Sequence, residues 1–450
     1  MICGLLQKRL ERFLIIKERA KMNIWFFHHY ATPLTMSGMQ RPELFAKQLR
    51  LRGHRVAVFA SSYLHYSGEN VITDKNLYKI VWEDQIPFIF VRTTGYTDSM
   101  RRRVMNMGQY ALHVQKVAGI YAQKNGPPDI IIASSPHPLA MIAGLRTAKK
   151  WGASCICEVR DFWPEVLFLS GKLRPQSAIG RALTLAEHRI YRDADAIVFL
   201  KEGDQTYLAE HDWDDFHGGD VKTEKCFYIN NGVDLKQYDS DFHRYVLTDP
   251  DLTDSAYRIV YAGAIRPVNQ VENLLDCAKI LARNYPDIRF LVYGDGSERA
   301  KLEQRIAQES IKNVVLKGRI QRQYLPYVLR CSRLNVLHYT SEHYNWSRGN
   351  SSNKLFEYMA SGRPIVSNIK TGYDLIDRYR CGISMADSSA QSLASAIAQI
   401  HDMPECEYRQ MCKNALTAAG DFDYSCLTDQ LEAVLQYCTE KRRKAGYDGG

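Results

Sequence analysis

No run of 18 or more apolar residues occurs in the 450-residue chain, and its longest apolar stretches, such as 13–16 and 130–133, are far too short to cross a bilayer. Low-complexity segments and short-period repeats are also missing, and 45% hydrophobic with 24% charged residues excludes a disordered or collagen-like chain. The first 21 residues have neither the apolar core nor the small-residue cleavage site of a signal peptide, but carry six basic side chains, Lys8, Arg9, Arg12, Lys17, Arg19 and Lys21. Met22 stands directly before the first strand pattern. Residues 1–21 therefore read as a basic extension ahead of an internal start, or as a short basic helix resting on a membrane. The 11 cysteines are scattered, which excludes a disulfide scaffold and points to a reducing, cytoplasmic compartment. Cys155 and Cys157 are expected to point to opposite faces of a strand and so not to chelate a metal together.

What is present is an uneven charge. Residues 1–200 hold 28 Lys and Arg against 15 Asp and Glu, whereas 201–250 hold 5 against 12. A basic first half favours phosphates or anionic lipid head groups, or is simply a solvated basic surface. Arg101-Arg102-Arg103, ahead of an amphipathic helical stretch, carries the same two readings, a lipid contact or a solvated helix start.

After Met22 the sequence alternates short β-rich runs with longer helical patterns, as parallel α/β sheets do. Strands are expected at 23–27, 55–60, 87–92, 129–133, 154–159 and 194–200, with helices at 42–52, 104–123 and 139–151 among them. A turn signal at Asn230-Asn231-Gly232 and an acidic interval to Asp254 break the pattern. It restarts with strands at 258–261, 289–293, 314–317, 334–337 and 364–367 and helices at 271–284, 298–308, 321–329 and 354–360. The expected architecture is two doubly wound Rossmann-like domains, 22–228 and 229–424, with a last helix at 425–445 crossing back to the first. Their ligand site is expected in the cleft where the carboxyl ends of both sheets face each other.

Several strand ends carry chemistry. Ser352, Asn353 and Lys354 open a helix whose amides can meet an anion, with the two polar residues as caps and Lys354 adding charge. Glu357 lies one turn on, where a carboxylate accepts from vicinal hydroxyls, or is a surface glutamate. Gly263 ends a strand and allows backbone amides to approach a phosphate, with Arg266 offering a charge-assisted fork. Gly294 and the turn before Arg319 and Ile320 end two further strands in the same way. Several glycine turns on one edge suit a nucleotide. In the first half, Gly38 permits close backbone approach and Arg41 falls in the next helix's first turn, or the pair is a tight turn with a surface arginine. His137 ends a strand as a ligand contact or a satisfied loop histidine, and of His28 and His29 at most one points inward. Asp161 could orient an acceptor hydroxyl or stabilise developing positive charge, while Arg160 could hold it in an ion pair.

Taken together, Ile229-Asn230-Asn231-Gly232-Val233-Asp234, Tyr261-Ala262-Gly263, Tyr293-Gly294-Asp295-Gly296, Lys317-Gly318-Arg319 and the 353–364 segment resemble the donor domain of glycosyltransferase family 4. That family has the GT-B fold and a retaining mechanism. Glu158-Val159-Arg160-Asp161-Phe162-Trp163-Pro164-Glu165 resembles its WbuB-like subgroup, associated with surface polysaccharide assembly. The resemblance implies a hexosyl or N-acetylhexosaminyl transferase, independent of metal and of a resident cofactor, with a UDP- or GDP-sugar as co-substrate. The implied acceptor is a glycan or polyprenyl-pyrophosphate-linked sugar for O-antigen, capsule or exopolysaccharide, used at the cytoplasmic face of a membrane; nucleic acid is not a partner. It places Glu357 on the nucleotide ribose and Arg319 with Ile320 along the base. The first glutamate of the family's pair falls at Gly349, where amides of 349–352 would take over its sugar contact. The family's diphosphate lysine falls at Asn269, which leaves Arg266 and Lys354 for the diphosphate. Gly38 and Arg41 resemble the family's glycine loop, which faces the diphosphate and acceptor, and Asp161 with Arg160 falls to catalysis; His29 and His137 are acceptor candidates from their strand-end positions. The implied reaction is same-face attack in which the leaving phosphate takes the acceptor proton. Asp193-Ala194-Asp195, Asp212-Trp213-Asp214 and Asp239-Ser240-Asp241 read as solvated punctuation rather than a metal-binding pair. Two competing readings are a nucleotide-sugar epimerase on the same plan and a silent glycan-binding scaffold.

Overall fold

The computed structural model describes residues 21–446 apart from 37, 98, 136, 341–343 and 445. The basic extension at 1–20, and Ser37, Pro136 and Ala445 within the segments singled out above, lie outside the described residues. The chain divides into two compact units, one ending at Asn230 and resuming at Leu427, the other spanning Asn231–Cys426.

The first unit holds an eight-stranded sheet of β1 (Asn23–His28), β2 (Arg55–Ser61), β3 (Tyr78–Glu83), β4 (Ile86–Val91), β5 (Ile130–Ser134), β6 (Ser154–Val159), β7 (Ala196–Phe199) and β8 (Cys226–Tyr228), ordered β3-β4-β2-β1-β5-β6-β7-β8. Every pairing is parallel except β3 with β4. β1, β4, β5 and β6 are buried along their whole length, as parallel strands covered on both faces must be. β3 eluded the pattern reading because Lys79 and Trp82 are exposed on an edge strand; a two-residue turn at Asp84 and Gln85, both at positive φ, joins it to β4. The Tyr424–Lys444 helix contributes residues from 427 onward to this unit, tied by Arg52 to Asp429 and Glu432 (2.6 Å each) and by His54 to Glu432 (3.1 Å).

The second unit holds a parallel sheet of β9 (Tyr257–Ala262), β10 (Ile288–Tyr293), β11 (Val314–Gly318), β12 (Leu334–Leu337), β13 (Ile365–Ser367) and β14 (Gly382–Ser384), ordered β11-β10-β9-β12-β13-β14. β8 and β14 span three residues each, too few for a period-two signal. One expectation about strand faces is corrected. Cys155 and Cys157 are two apart on β6, so they share a face, and both are buried in one core cluster.

Candidate functional site

In an open parallel sheet, the ligand edge is the carboxyl end where strand order reverses. In the second unit that point lies between β9 and β12, since β10 and β11 extend to one side of β9 before β12 returns on the other. The turns there are tied by backbone. Gly263 N–H donates to Tyr293 O (2.9 Å), Gly294 N–H to Gly318 O (2.8 Å) and Ile265 N–H to Asp295 O (2.9 Å). A Cβ on Gly294 would stand 1.8 Å from the Gly263 oxygen. The N–H groups of Gly263 and Gly294 are themselves committed to backbone carbonyls, and Gly294 is glycine because neighbouring turns touch. Gly263 instead makes room, since a Cβ there would lie 3.1 Å from Lys354 Cδ and 3.2 Å from its Nζ.

Lys354 belongs to the helix Asn353–Ala360. Ser352 occupies its N-cap position but makes no side-chain cap, because its hydroxyl accepts from Tyr339 Oη (2.6 Å); Asn353 is exposed. The capping expected of these residues is thus replaced by a tyrosine contact. Lys354 Nζ stands 5.0 Å from the Tyr261 ring centroid and 4.5 Å from that of Tyr339, a cation held over two aromatic faces. With the Asn269 amide nitrogen turned to the Ala264 carbonyl (3.0 Å), its oxygen accepts from Lys354 Nζ (3.1 Å). Burial lowers the Lys354 pKa to about 7, against the opposing pull of Glu357. The sequence reading passed over His338, which follows β12; its Nδ1 lies 2.9 Å from the Asn269 carbonyl, and burial lowers its pKa to about 4.

Glu357 lies three residues beyond Lys354 on the same helix and accepts from Arg322 Nη2 (3.0 Å), a second residue that pattern reading missed. Arg322 lies in the short turn Arg322–Tyr324 after β11, where only the fold discloses its partner. Arg266 and Arg319 are exposed beyond the ends of β9 and β11, and Ile320 is half-buried beside Arg319. Lys354, Asn269, Gly263 and Glu357 are thus brought together, with Arg266 and Arg319 on the same sheet edge.

In the first unit the strand order reverses between β1 and β5. His28 ends β1, Ser134 ends β5, and His137 precedes the helix Pro138–Trp151. His28 and His29 are both buried; the strand stops at His28 and a turn begins at His29. His29 Nδ1 is 2.6 Å from His137 Nε2, and His29 Nε2 is 2.7 Å from Asn106 Oδ1. Asn106 Nδ2 donates to Thr94 O (2.6 Å). Burial lowers the pKa of all three histidines, to about 3 for His28 and His137.

Arg41 is not offered to a ligand. It is 4% exposed, and its guanidinium donates to Glu158 Oε2 (2.8 Å) and to the carbonyls of Ile229 (2.9 Å) and Asn230. Glu158, absent from the expected site, also accepts from Ser134 Oγ (2.9 Å). Burial pushes its carboxyl up, but Arg41 and Arg160 outweigh that and leave it below the usual range. Gly38 is small for a local reason, since a Cβ would stand 2.3 Å from Thr32 Oγ1. Asp161 is exposed just past β6, where the Arg160 and Asp161 N–H groups share Ser135 Oγ (2.8 and 3.3 Å). Among the described residues Arg160 and Asp161 form no ion pair, and the Asp161 carboxylate makes no hydrogen bond.

Each unit matches one protein family. Residues 40–215 match the glycosyl transferase 4-like domain, and 256–403 match glycosyl transferases group 1. The architecture is that of two Rossmann-like α/β units. HepE of Anabaena in complex with UDP superposes with a TM-score of 0.63 at 15% identity, over 92% of this chain and 99% of that one. The fold is GT-B. Two curated proteins share sequence with this GT-B chain. Alpha-D-kanosaminyltransferase of Streptomyces kanamyceticus is 25% identical over 204 residues, 45% of this chain and 51% of the relative. D-inositol 3-phosphate glycosyltransferase of Pseudarthrobacter chlorophenolicus is 22% identical over 289 residues, 63% and 64% of the two. The matched stretches thus span about half to under two thirds of those relatives. Together the matches support a glycosyltransferase. Within the GT-B frame, the Lys354 cluster and the histidine cluster each mark the reversal point of one unit's sheet.

Proposed function

We propose that the chain is a retaining glycosyltransferase that moves a hexosyl or N-acetylhexosaminyl group from a nucleotide-diphosphate sugar to a hydroxyl. The second unit binds the donor and the first the acceptor. The carrying observation is Lys354, a half-buried lysine at the β9–β12 reversal, beside an uncapped helix start and with a pKa of about 7. An arriving diphosphate raises that pKa and makes the ammonium its counter-ion, while first-turn amides meet its oxygens. Arg266 adds charge from the end of β9. Glu357, held by Arg322, accepts from the ribose hydroxyls, and Arg319 with Ile320 lines the base. UDP is the first base to test, because the HepE structure carries UDP.

Asp161, uncommitted at the end of β6, orients the acceptor hydroxyl or stabilises charge developing at the anomeric carbon. Attack on the face the diphosphate leaves gives retention, with the departing phosphate taking the proton. The acceptor is proposed to be a lipid-linked glycan of surface-polysaccharide assembly, used at the cytoplasmic face of a membrane. Among the described residues, no helix is long and apolar enough to cross one. The test incubates the chain with UDP- and GDP-sugars, with and without membrane lipid extract. Acceptor-dependent nucleotide release is expected. An isomerised sugar without acceptor would make it an epimerase, and no turnover with any donor would make it a silent binder. Glu357→Ala should weaken UDP binding by about tenfold or more, from a lost charged hydrogen bond; unchanged affinity counts against the donor site.

A further inference from the structure

The histidine cluster at the β1–β5 reversal is more than a set of buried rings, because its hydrogen bonds have a direction. Asn106 lies on the helix Met100–Asn125, which follows the arginine triple. At 100° per residue, Arg103, Asn106 and Tyr110 share the inward face, and Arg101 and Arg102 are exposed. Asn106 Nδ2 donates to the Thr94 carbonyl, so Oδ1 is the atom turned to His29 and can only accept. The proton in that contact must therefore be on His29 Nε2. A neutral imidazole carries one N–H, which leaves His29 Nδ1 as a lone pair. At 2.6 Å from His29 Nδ1, His137 Nε2 must then be the donor, and His137 Nδ1 becomes the lone pair at the end of the chain. That Nδ1 is buried, on a residue 1% exposed, and has no hydrogen-bond partner among the described residues.

We infer that Asn106 and His29 form a tautomer relay that fixes His137 Nδ1 as a hydrogen-bond acceptor for a hydroxyl of the sugar substrate. The inference rests on the glycosyltransferase reading and deepens it by naming the contact and the groups that set its polarity. A lone pair there accepts an O–H and repels a phosphate or carboxylate oxygen, so a neutral polyol is selected at this point of the edge. Arg103 supports the arrangement. Its charge bears on both His29 and His137 and opposes their protonation, as burial does, so the rings stay neutral and the lone pair is kept. Asn106 and His29 act through His137 and are positioning residues; His137 alone touches the substrate.

Full-length protein labelled with 15N-histidine tests the relay without any ligand. At pH 7, His29 and His137 are expected as Nε2–H tautomers. Asn106→Leu should mix the tautomers of both, whereas Asn106→Asp, whose carboxylate still accepts from His29, should keep them. A His137 ring carrying its proton on Nδ1, or one that Asn106→Leu leaves unmoved, overturns the proposal. The ligand contact is read from UDP release with UDP-glucose as donor and membrane lipid extract as acceptor source. His137→Ala and Asn106→Leu are expected to lower kcat about tenfold or more, Asn106→Asp to restore most of it, and UDP affinity to stay unchanged. Deoxy analogues of UDP-glucose and of the acceptor then name the ring, since the analogue lacking the recognised hydroxyl loses rate in the natural protein and not in His137→Ala. Equal rates in all variants overturn the contact. Failed UDP binding counts against the donor reading, and a wrong tautomer against this one, so the two failures are distinct.

Discussion

The two sheet edges solve the same topological problem with different materials. In the second unit the β9–β12 edge is built from backbone, with Gly294 in contact with both Gly263 and Gly318 and one lysine entering the space that Gly263 leaves. In the first unit the β1–β5 edge is built from buried side chains, the Arg41–Glu158 pair and the His28, His29 and His137 rings. The first design leaves a positive charge ready for an anion. The second fixes the direction of hydrogen bonds and leaves few free charges. The difference teaches that a cation-rich sequence need not make a cationic site, because Arg41 is neutralised by its own fold.

The sharpest way to break this comparison is to remove that neutralisation. Arg41→Ala removes the ion-pair partner of buried Glu158, leaving it the Ser134 Oγ hydrogen bond and the charge of Arg160, and takes a donor from the carbonyls of Ile229 and Asn230. Breaking a buried pair costs about 3–5 kcal/mol. Equilibrium denaturant unfolding should show a loss of that size, and UDP affinity in the surviving folded protein should be unchanged. If stability holds and an acceptor-dependent rate collapses instead, Arg41 is a ligand group and the contrast between the edges fails.

Lys354 tests the other edge and should give the next largest effect. Replacing it with Met removes one charged contact to the diphosphate, about 1.5–3 kcal/mol, or roughly 10- to 100-fold in UDP affinity. Its titration supplies a sign. With a pKa of about 7 in the free protein, lowered from 10.5 by burial, Lys354 is charged below pH 7 and neutral above it. A diphosphate favours the charged form, so binding takes up a proton above pH 7. UDP affinity should be full below about pH 7 and decline as the pH rises beyond it, and isothermal titration across pH 6–9 should show the slope vanish in Lys354→Met. A slope that survives in the variant assigns the proton to another group.

The same contrast explains what the sequence disclosed. Fold class was legible because long buried strands such as β1, β4 and β5 leave continuous apolar runs, and glycine turns follow them at the edge. Lys354 and Glu357 were legible because a helix start sets them about one turn apart whatever the packing, whereas Asn269 came from the resemblance alone. What stayed hidden depends on distant partners. Nothing in Arg41's surroundings announces Glu158, 117 residues away, and nothing near Glu357 announces Arg322, 35 residues earlier. His29 and His137 are 108 residues apart, and their contact exists only because β1 and β5 are neighbours. Cys155 and Cys157 show the opposite failure, in which the local geometry of a strand was available and was misread.

The smallest effect is expected from the Arg322–Glu357 pair. Arg322 is 57% exposed, so water screens the attraction, and exposed pairs contribute about 1 kcal/mol at most. Arg322→Ala should therefore leave stability almost unchanged. Its value as a probe lies in what it frees: with Arg322 gone, the Glu357 carboxylate loses a competitor for the ribose hydroxyls but also a group that fixes its rotamer. UDP affinity should shift by less than about fivefold, whereas Glu357→Ala shifts it by about tenfold or more, and Arg322→Ala in the Glu357→Ala background should add nothing. A further loss in that double variant would mean that Arg322 meets the nucleotide itself, and that the β9–β12 edge, like the β1–β5 edge, relies on side chains drawn from far along the chain.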